Sequence, residues 1–264
     1  MELDLNIAGI GIWGPGLAGW AAASPVLRGE VGTATDAATR PAPALLPPAE
    51  RRRAPESVLI AVQAATEACA MAGVDPATLP AVFASAQGDV AITDYLCAVL
   101  ATAPHELSPT KFHNSVHNAA VGYWTIAARC HEPSTALTAA ADSAGAGLLE
   151  AAVQALDRGS PVLLAVHDCA ARGPLAGIVA QTASLAVALV LAPAAAGLHG
   201  PRLRIRPAPA PLAAPPLPAT LDALCPANPA AAALPLLAAL AGARPARLTL
   251  PAAPGCLLEL VLDA

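Results

Sequence analysis

The chain is short of charge. Only 12% of its 264 residues are Asp, Glu, Lys or Arg, and the balance is −5 at neutral pH. No basic surplus exists for a nucleic-acid backbone, so nucleic-acid binding is not expected. Paired cysteines are missing too. Cys69, Cys97, Cys130, Cys169, Cys225 and Cys256 are scattered, with no C-x-x-C. Neither a zinc site nor a disulfide framework follows, and packing thiols in a cytoplasmic protein are expected. The opening MELDLNIAGIGIWG has no basic run ahead of its apolar stretch, so it does not read as a secretory signal. Residues 176 to 198 form the greasiest long window. Gln181, Thr182, Ser184 and Pro193 interrupt it, and no Lys or Arg brackets it closely. A buried strand followed by a loop fits it better than a membrane span.

What is abundant is small and apolar. Hydrophobic residues make up 56% of the chain, much of it alanine. This suits tightly packed helices, or a surface covered by a partner. The patterning alternates strand and helix. Strands are expected at 3–12, 81–86, 135–140, 161–167, 185–191 and 256–262. Helices are expected at 56–72, 92–101, 116–128, 143–157 and 230–241, with Gly73 stopping the first. Alternation of this kind predicts a layered α/β fold on a largely buried sheet. Residues 31–54 read as an Ala- and Pro-rich loop. The run PAPAPLAAPPLP at 207–218 reads as a linker of polyproline character, giving a first unit over 1–200, a linker over 201–218 and a terminal helix and strand over 219–264.

Several residue groups could carry chemistry. Gly9, Gly11 and Gly14 spell G-x-G-x-x-G after a strand, but Pro15 and Gly16 follow too soon for a nucleotide-binding helix. Ala141-Asp142-Ser143-Ala144-Gly145 approximates a nucleophile elbow, which would make Ser143 the nucleophile of a serine hydrolase or acyltransferase. Its only later histidines are His167 and His199. An N-cap or first-turn serine is the simpler role. His113 and His117 stand four apart near a helix start, where they could share a face, but no third metal ligand suggests itself. No metal and no cofactor are expected. Arg51, Arg52 and Arg53 could meet an acidic surface or form a solvated loop.

The stretch SPTKFHNSVHNAAVGYWTIAARCHEPSTALTAAADSAGAGLLEA, from Ser108 to Ala151, resembles the core of the β-ketoacyl synthases of the thiolase superfamily. Ser108-Pro109, Asn118 and Gly122, Pro133-Ser134 and the following Thr-Ala run lie in that family's order without a gap. More narrowly, RRRAPESVLIAVQAATEA, VFASAQGD and FHNSVHNAAVGYW resemble the short chain-length factors of aryl-polyene and related polyketide systems. The resemblance implies a thiolase-like α/β/α fold: one N-terminal half over residues 1–192 and a shortened C-terminal remnant. It places the synthase cysteine at Ala141, whose methyl group cannot attack a thioester. The HTGT-like and NxxGH-like motifs of the synthases' second half do not occur. The resemblance therefore implies a non-catalytic subunit that pairs with an active ketosynthase, meets acyl carrier protein through that partner, and shapes the chain's tunnel. Phe112, His113, Val116, His117, Tyr123 and Ala127 are the candidates for tunnel and interface. A purely structural scaffold is the alternative.

Overall fold

The structure is a computed structural model that describes residues 2–32, 40–212, 217–218, 221, 225 and 227–263. Strand β1 (Leu3–Gly14) begins with the alternation of a half-exposed strand, burying Leu3, Leu5 and Ile7 between Asp4 and Asn6. Its second half is buried almost throughout, because helix α3 (Glu56–Ala72) lies directly on it. Gly9 and Gly11 permit that approach. A Cβ on Gly9 would stand 2.0 Å from the carbonyl oxygen of Ala68, and one on Gly11 1.9 Å from that of Ala64. The G-x-G-x-x-G spelling thus serves strand-on-helix packing. Helix α3 ends at Gly73, whose φ of 65° closes the helix in the left-handed conformation.

A two-residue strand β2 (Leu17–Ala18) folds back on β1 and leads into helix α1 (Trp20–Leu27). No side chain of its own caps α1. Glu67 of α3 does so, accepting from the backbone N–H of Trp20 at 2.5 Å and from that of Ile12 at 3.1 Å. The rest of the chain runs through α2 (Pro48–Arg53), β3 (Ala81–Ala84), α4 (Val90–Thr102), α5 (Pro109–His113), α6 (Ala119–Ala128), β4 (Ser134–Leu137) and α7 (Ser143–Arg158). It closes with β5 (Val162–Asp168), β6 (Leu185–Ala192), β7 (Arg202–Pro207), α8 (Leu234–Ala241), β8 (Ala246–Ala253) and β9 (Cys256–Asp263).

The strands form one sheet in the order β4-β3-β5-β6-β1-β7-β9-β8. β4, β3 and β5 are parallel; every other pairing along the path is antiparallel. Helices α3 and α6 cover one face, with Trp124 fully buried against Phe83 beneath them. Helices α1, α7 and α8 fill the other, over Leu5, Ile12, Leu164, Leu189 and Leu260. Each such Leu or Ile contributes about 1.5–3 kcal/mol on burial. Helix α7 is gripped by both arms of the sheet. A Cβ on Gly147 would meet Ala84 of β3 at 2.8 Å, and a Cβ on Gly145 would stand 2.0 Å from the carbonyl oxygen of Pro251 on β8. This is the layered thiolase-like α/β fold.

Several expectations change. Residues 202–207, expected within a linker, are strand β7, whose Leu203 and Ile205 point into the core while Arg202, Arg204 and Arg206 pair with Asp4, Asp263 and Glu259. Part of the Pro-rich run, 213–216, lies outside the described residues. Residues 48–53, expected as loop, form α2 with Pro at its first position. The helix expected from Val116 starts at Ala119, and the strand expected to Ala140 ends at Leu137. Window 176–198 holds strand β6, and among the described residues no helix is long and apolar enough to cross a membrane.

Candidate functional site

The C-terminal ends of β3, β4 and β5 meet at a tight turn between β4 and α7. Ala140 in that turn has φ 50°, a left-handed conformation that costs a non-glycine residue of order 1 kcal/mol or more. The turn is pinned from inside. Ser143 is fully buried, donates to the carbonyl oxygen of Ala140 at 2.7 Å and accepts from the N–H of Ala139 at 2.9 Å. Its hydroxyl is consumed by its own turn, and among the described residues no hydrogen bond links it to a histidine. The hydrolase expectation fails here, because a nucleophile must reach both solvent and base. Ala141 stands exposed just ahead of the N-terminus of α7.

Below the turn is a polar cluster that the sequence did not reveal. Asp168 ends β5 and is completely buried. Its Oδ1 accepts from the Ser85 hydroxyl at 2.9 Å and from the backbone N–H groups of Ala86 and Gln87 at 3.0 Å each. Burial pushes its carboxyl pKa up, and those hydrogen bonds partly offset the shift. His167 beside it packs edge-on to Phe83 with Nδ1 unpartnered. Burial, aided by the nearby His117, takes its pKa down to about 4, so it is neutral. The run VLLAVHD, apolar and then abruptly polar, is the one sequence signal for this pair.

His113 and His117 do not share a helix face. Helix α5 ends at His113, and His117 lies in the turn beyond. His113 lines an open groove. His117 reaches the other way, its Nε2 3.0 Å from the carbonyl oxygen of Leu137 at the end of β4. Among the described residues no three His, Cys, Asp or Glu side chains gather as a metal site.

The groove, about 800 Å³, runs between α2 and α6. His113, Val116, Tyr123 and Ala127 line it, with Leu46 and Ile126. Phe112 does not line it and points outward at 61% exposure; Val116 is 51% exposed. Tyr123 is only half-buried, and its hydroxyl donates to Asn114 Oδ1 at 3.2 Å. Ile126, which the sequence reading missed, is the most prominent apolar side chain here at 80% exposure. Arg53 and Arg129 sit at the rim; Arg53 pairs with Glu50. Strand β4 adjoins α6 and, like β8 on the far side, is an edge of the sheet among the described residues. The β4 edge lies against α6, whose Gly122, Tyr123, Ile126 and Ala127 line the groove.

A sheet of this order with an elbow-like turn ahead of a small-residue helix defines a thiolase-like domain of ketosynthase type. The family model for the beta-ketoacyl synthase N-terminal domain matches residues 23–214, and the chain belongs to that family. A comparison with curated protein sequences finds no match. Among solved structures, the chain resembles one from the complex of the ketosynthase ApeO with its chain length factor ApeC from Xenorhabdus doucetiae. The TM-score is 0.73 at 20% identity, over 99% of this chain and 100% of that one. It also resembles a chain of AntDE:AntF, a type II polyketide acyl-carrier protein in complex with its ketosynthase, with TM-score 0.69 at 12% identity and full coverage of both chains. The ishigamide ketosynthase/chain length factor aligns with TM-score 0.53 at 13% identity, over 72% of this chain and 59% of that one.

Proposed function

We propose that this chain is a non-catalytic ketosynthase-like subunit, a chain-length factor, that pairs with an active β-ketoacyl synthase in polyketide, aryl-polyene or fatty-acid-like synthesis. The observation that carries it is the unpartnered surface formed by the β4 edge, the outward face of α6 and the apolar side chains Phe112, Val116 and Ile126. A free sheet edge beside exposed apolar groups is what a permanent partner covers. The strained turn supports the second half of the reading. It keeps the shape of a nucleophile elbow, and Ala139, Ala140 and Ala141 give it only methyl groups. The partner supplies cysteine and histidines; this chain supplies wall. The full-length match to chains from ketosynthase complexes agrees with a subunit of this size.

In this reading acyl carrier protein meets the pair through the synthase, and His113 and Val116 bound the space where the growing chain ends. The test is co-expression with the synthase and carrier protein of the same gene cluster, with products read by mass spectrometry. Val116→Trp adds volume to the groove wall and shortens the products; an intact complex with an unchanged product spectrum reduces the chain to a scaffold.

A further inference from the structure

We propose that a second pocket, at the N-terminal end of α3, is a binding site for a small carboxylic acid with a flat apolar body. The inference is independent of subunit pairing. The pocket is about 610 Å³, within the range of small-molecule sites, and lies over the adjoining ends of β1 and β6. Trp13 and Ile60 form its apolar wall. Arg40, Arg172, Glu56 and Ser184 supply the polar side.

The hydrogen bonds there leave donors to spare. Ser184 donates to Glu56 Oε1 at 2.6 Å and accepts from the N–H of Ala170 at 2.9 Å, so that end of the carboxylate is engaged. Arg172 Nη2 stands 3.8 Å from Glu56 Oε2, beyond a hydrogen bond. Arg40 donates one N–H to the carbonyl oxygen of Ala54 at 2.9 Å. A guanidinium has five N–H donors, so most of this pair's donors are uncommitted among the described residues. Two guanidiniums against one carboxylate leave a single positive charge. That balance fits a monoanion; Glu56 would repel the second charge of a phosphate monoester. Arg pairs a planar carboxylate in bidentate fashion, and the Trp13 indole in the lining gives a flat ring apolar surface to pack on.

The test is calorimetric titration of the full-length chain, alone or in its complex, with 2-naphthoate, 2-naphthalenemethanol and 2-naphthyl phosphate. The carboxylate should bind saturably and at least about tenfold more tightly than the alcohol, the usual worth of a charge-assisted pair. The double substitution Arg40→Gln, Arg172→Gln should remove that preference, and Glu56→Gln should raise the affinity for the phosphate. No saturable binding of naphthoate overturns the proposal. So does an alcohol bound as well as the acid, since that measurement needs no variant to fold. Unchanged carboxylate preference in a double variant with native circular dichroism overturns it as well.

Discussion

Gly145 is one of the tightest joints among the described residues. An alanine there would put its Cβ 2.0 Å from the carbonyl oxygen of Pro251 and 2.7 Å from its carbon. Such a contact relaxes only at roughly 3.3 Å, so α7 and β8 must part by more than an ångström. Helix α7 cannot retreat, because Gly147 on its other side already rests against Ala84 and Leu164. Extra volume in a packed interior costs about 1–3 kcal/mol, and a backbone obstacle puts this site at the top of that range. Alanine's better helix propensity returns about 1 kcal/mol. The net is a loss of about 2 kcal/mol, or roughly 4–8 °C in Tm for a domain of this size. Gly122 on α6 is the internal control: nothing lies within 4 Å of its would-be Cβ, so Gly122→Ala should gain about 1 kcal/mol. Thermal and urea unfolding of the two variants gives both numbers. A Gly145→Ala protein as stable as the parent refutes the claim that both arms of the sheet grip α7.

Ala141→Cys, in a Cys97→Ser, Cys256→Ser background, should be alkylated rapidly by iodoacetamide with a midpoint below pH 8.5, because the site is exposed at a helix N-terminus. Ser143→Cys in the same background should stay inert, being buried; equal labelling of both, read by mass, contradicts the described turn. Ile126→Asp should leave the isolated chain folded, since Ile126 is 80% exposed, and abolish co-purification with a synthase on a size-exclusion column; a retained complex moves the interface elsewhere. His167 is held neutral with its pKa lowered from 6.5 to about 4, so the unfolded chain binds the extra proton between those values and stability must fall as pH drops through that window. The loss is on the order of 3 kcal/mol and should vanish in His167→Leu, by urea midpoints at pH 4.5 and 7. Glu259, held down to about 2 by Arg206 and Arg247, adds its own loss only at lower pH, below 4.5.

The sequence showed strands β4, β3, β5, β6, β1 and β9 of the sheet and missed β7 and β8. Glu56–Ala72 was legible to the residue because its apolar period and its Gly stop agree. β5 and β6 were legible as unbroken apolar runs. β7 was hidden: RLRIRP alternates correctly, but its outward arginines and the prolines beside it imitate a linker. β8 escaped because Pro251 breaks its short Leu248–Leu250 alternation; pairing with β9 and packing against α7 hold it in place. At the site, the Ser108–Ala151 pattern located the turn and the helix α6 beside it. It could not show that Ser143 is locked by Ala139 and Ala140, since that depends on a left-handed residue that alanine rarely adopts. Nor could it bring Asp168 to Ser85, which are 83 residues apart and joined only by sheet order.

The most direct measurement is intact mass of each subunit after the co-purified complex is incubated with acylated carrier protein. The account predicts a one-to-one complex in which the synthase gains the acyl mass and this chain does not. An acyl adduct on this chain, or a chain that remains alone beside its synthase, contradicts it.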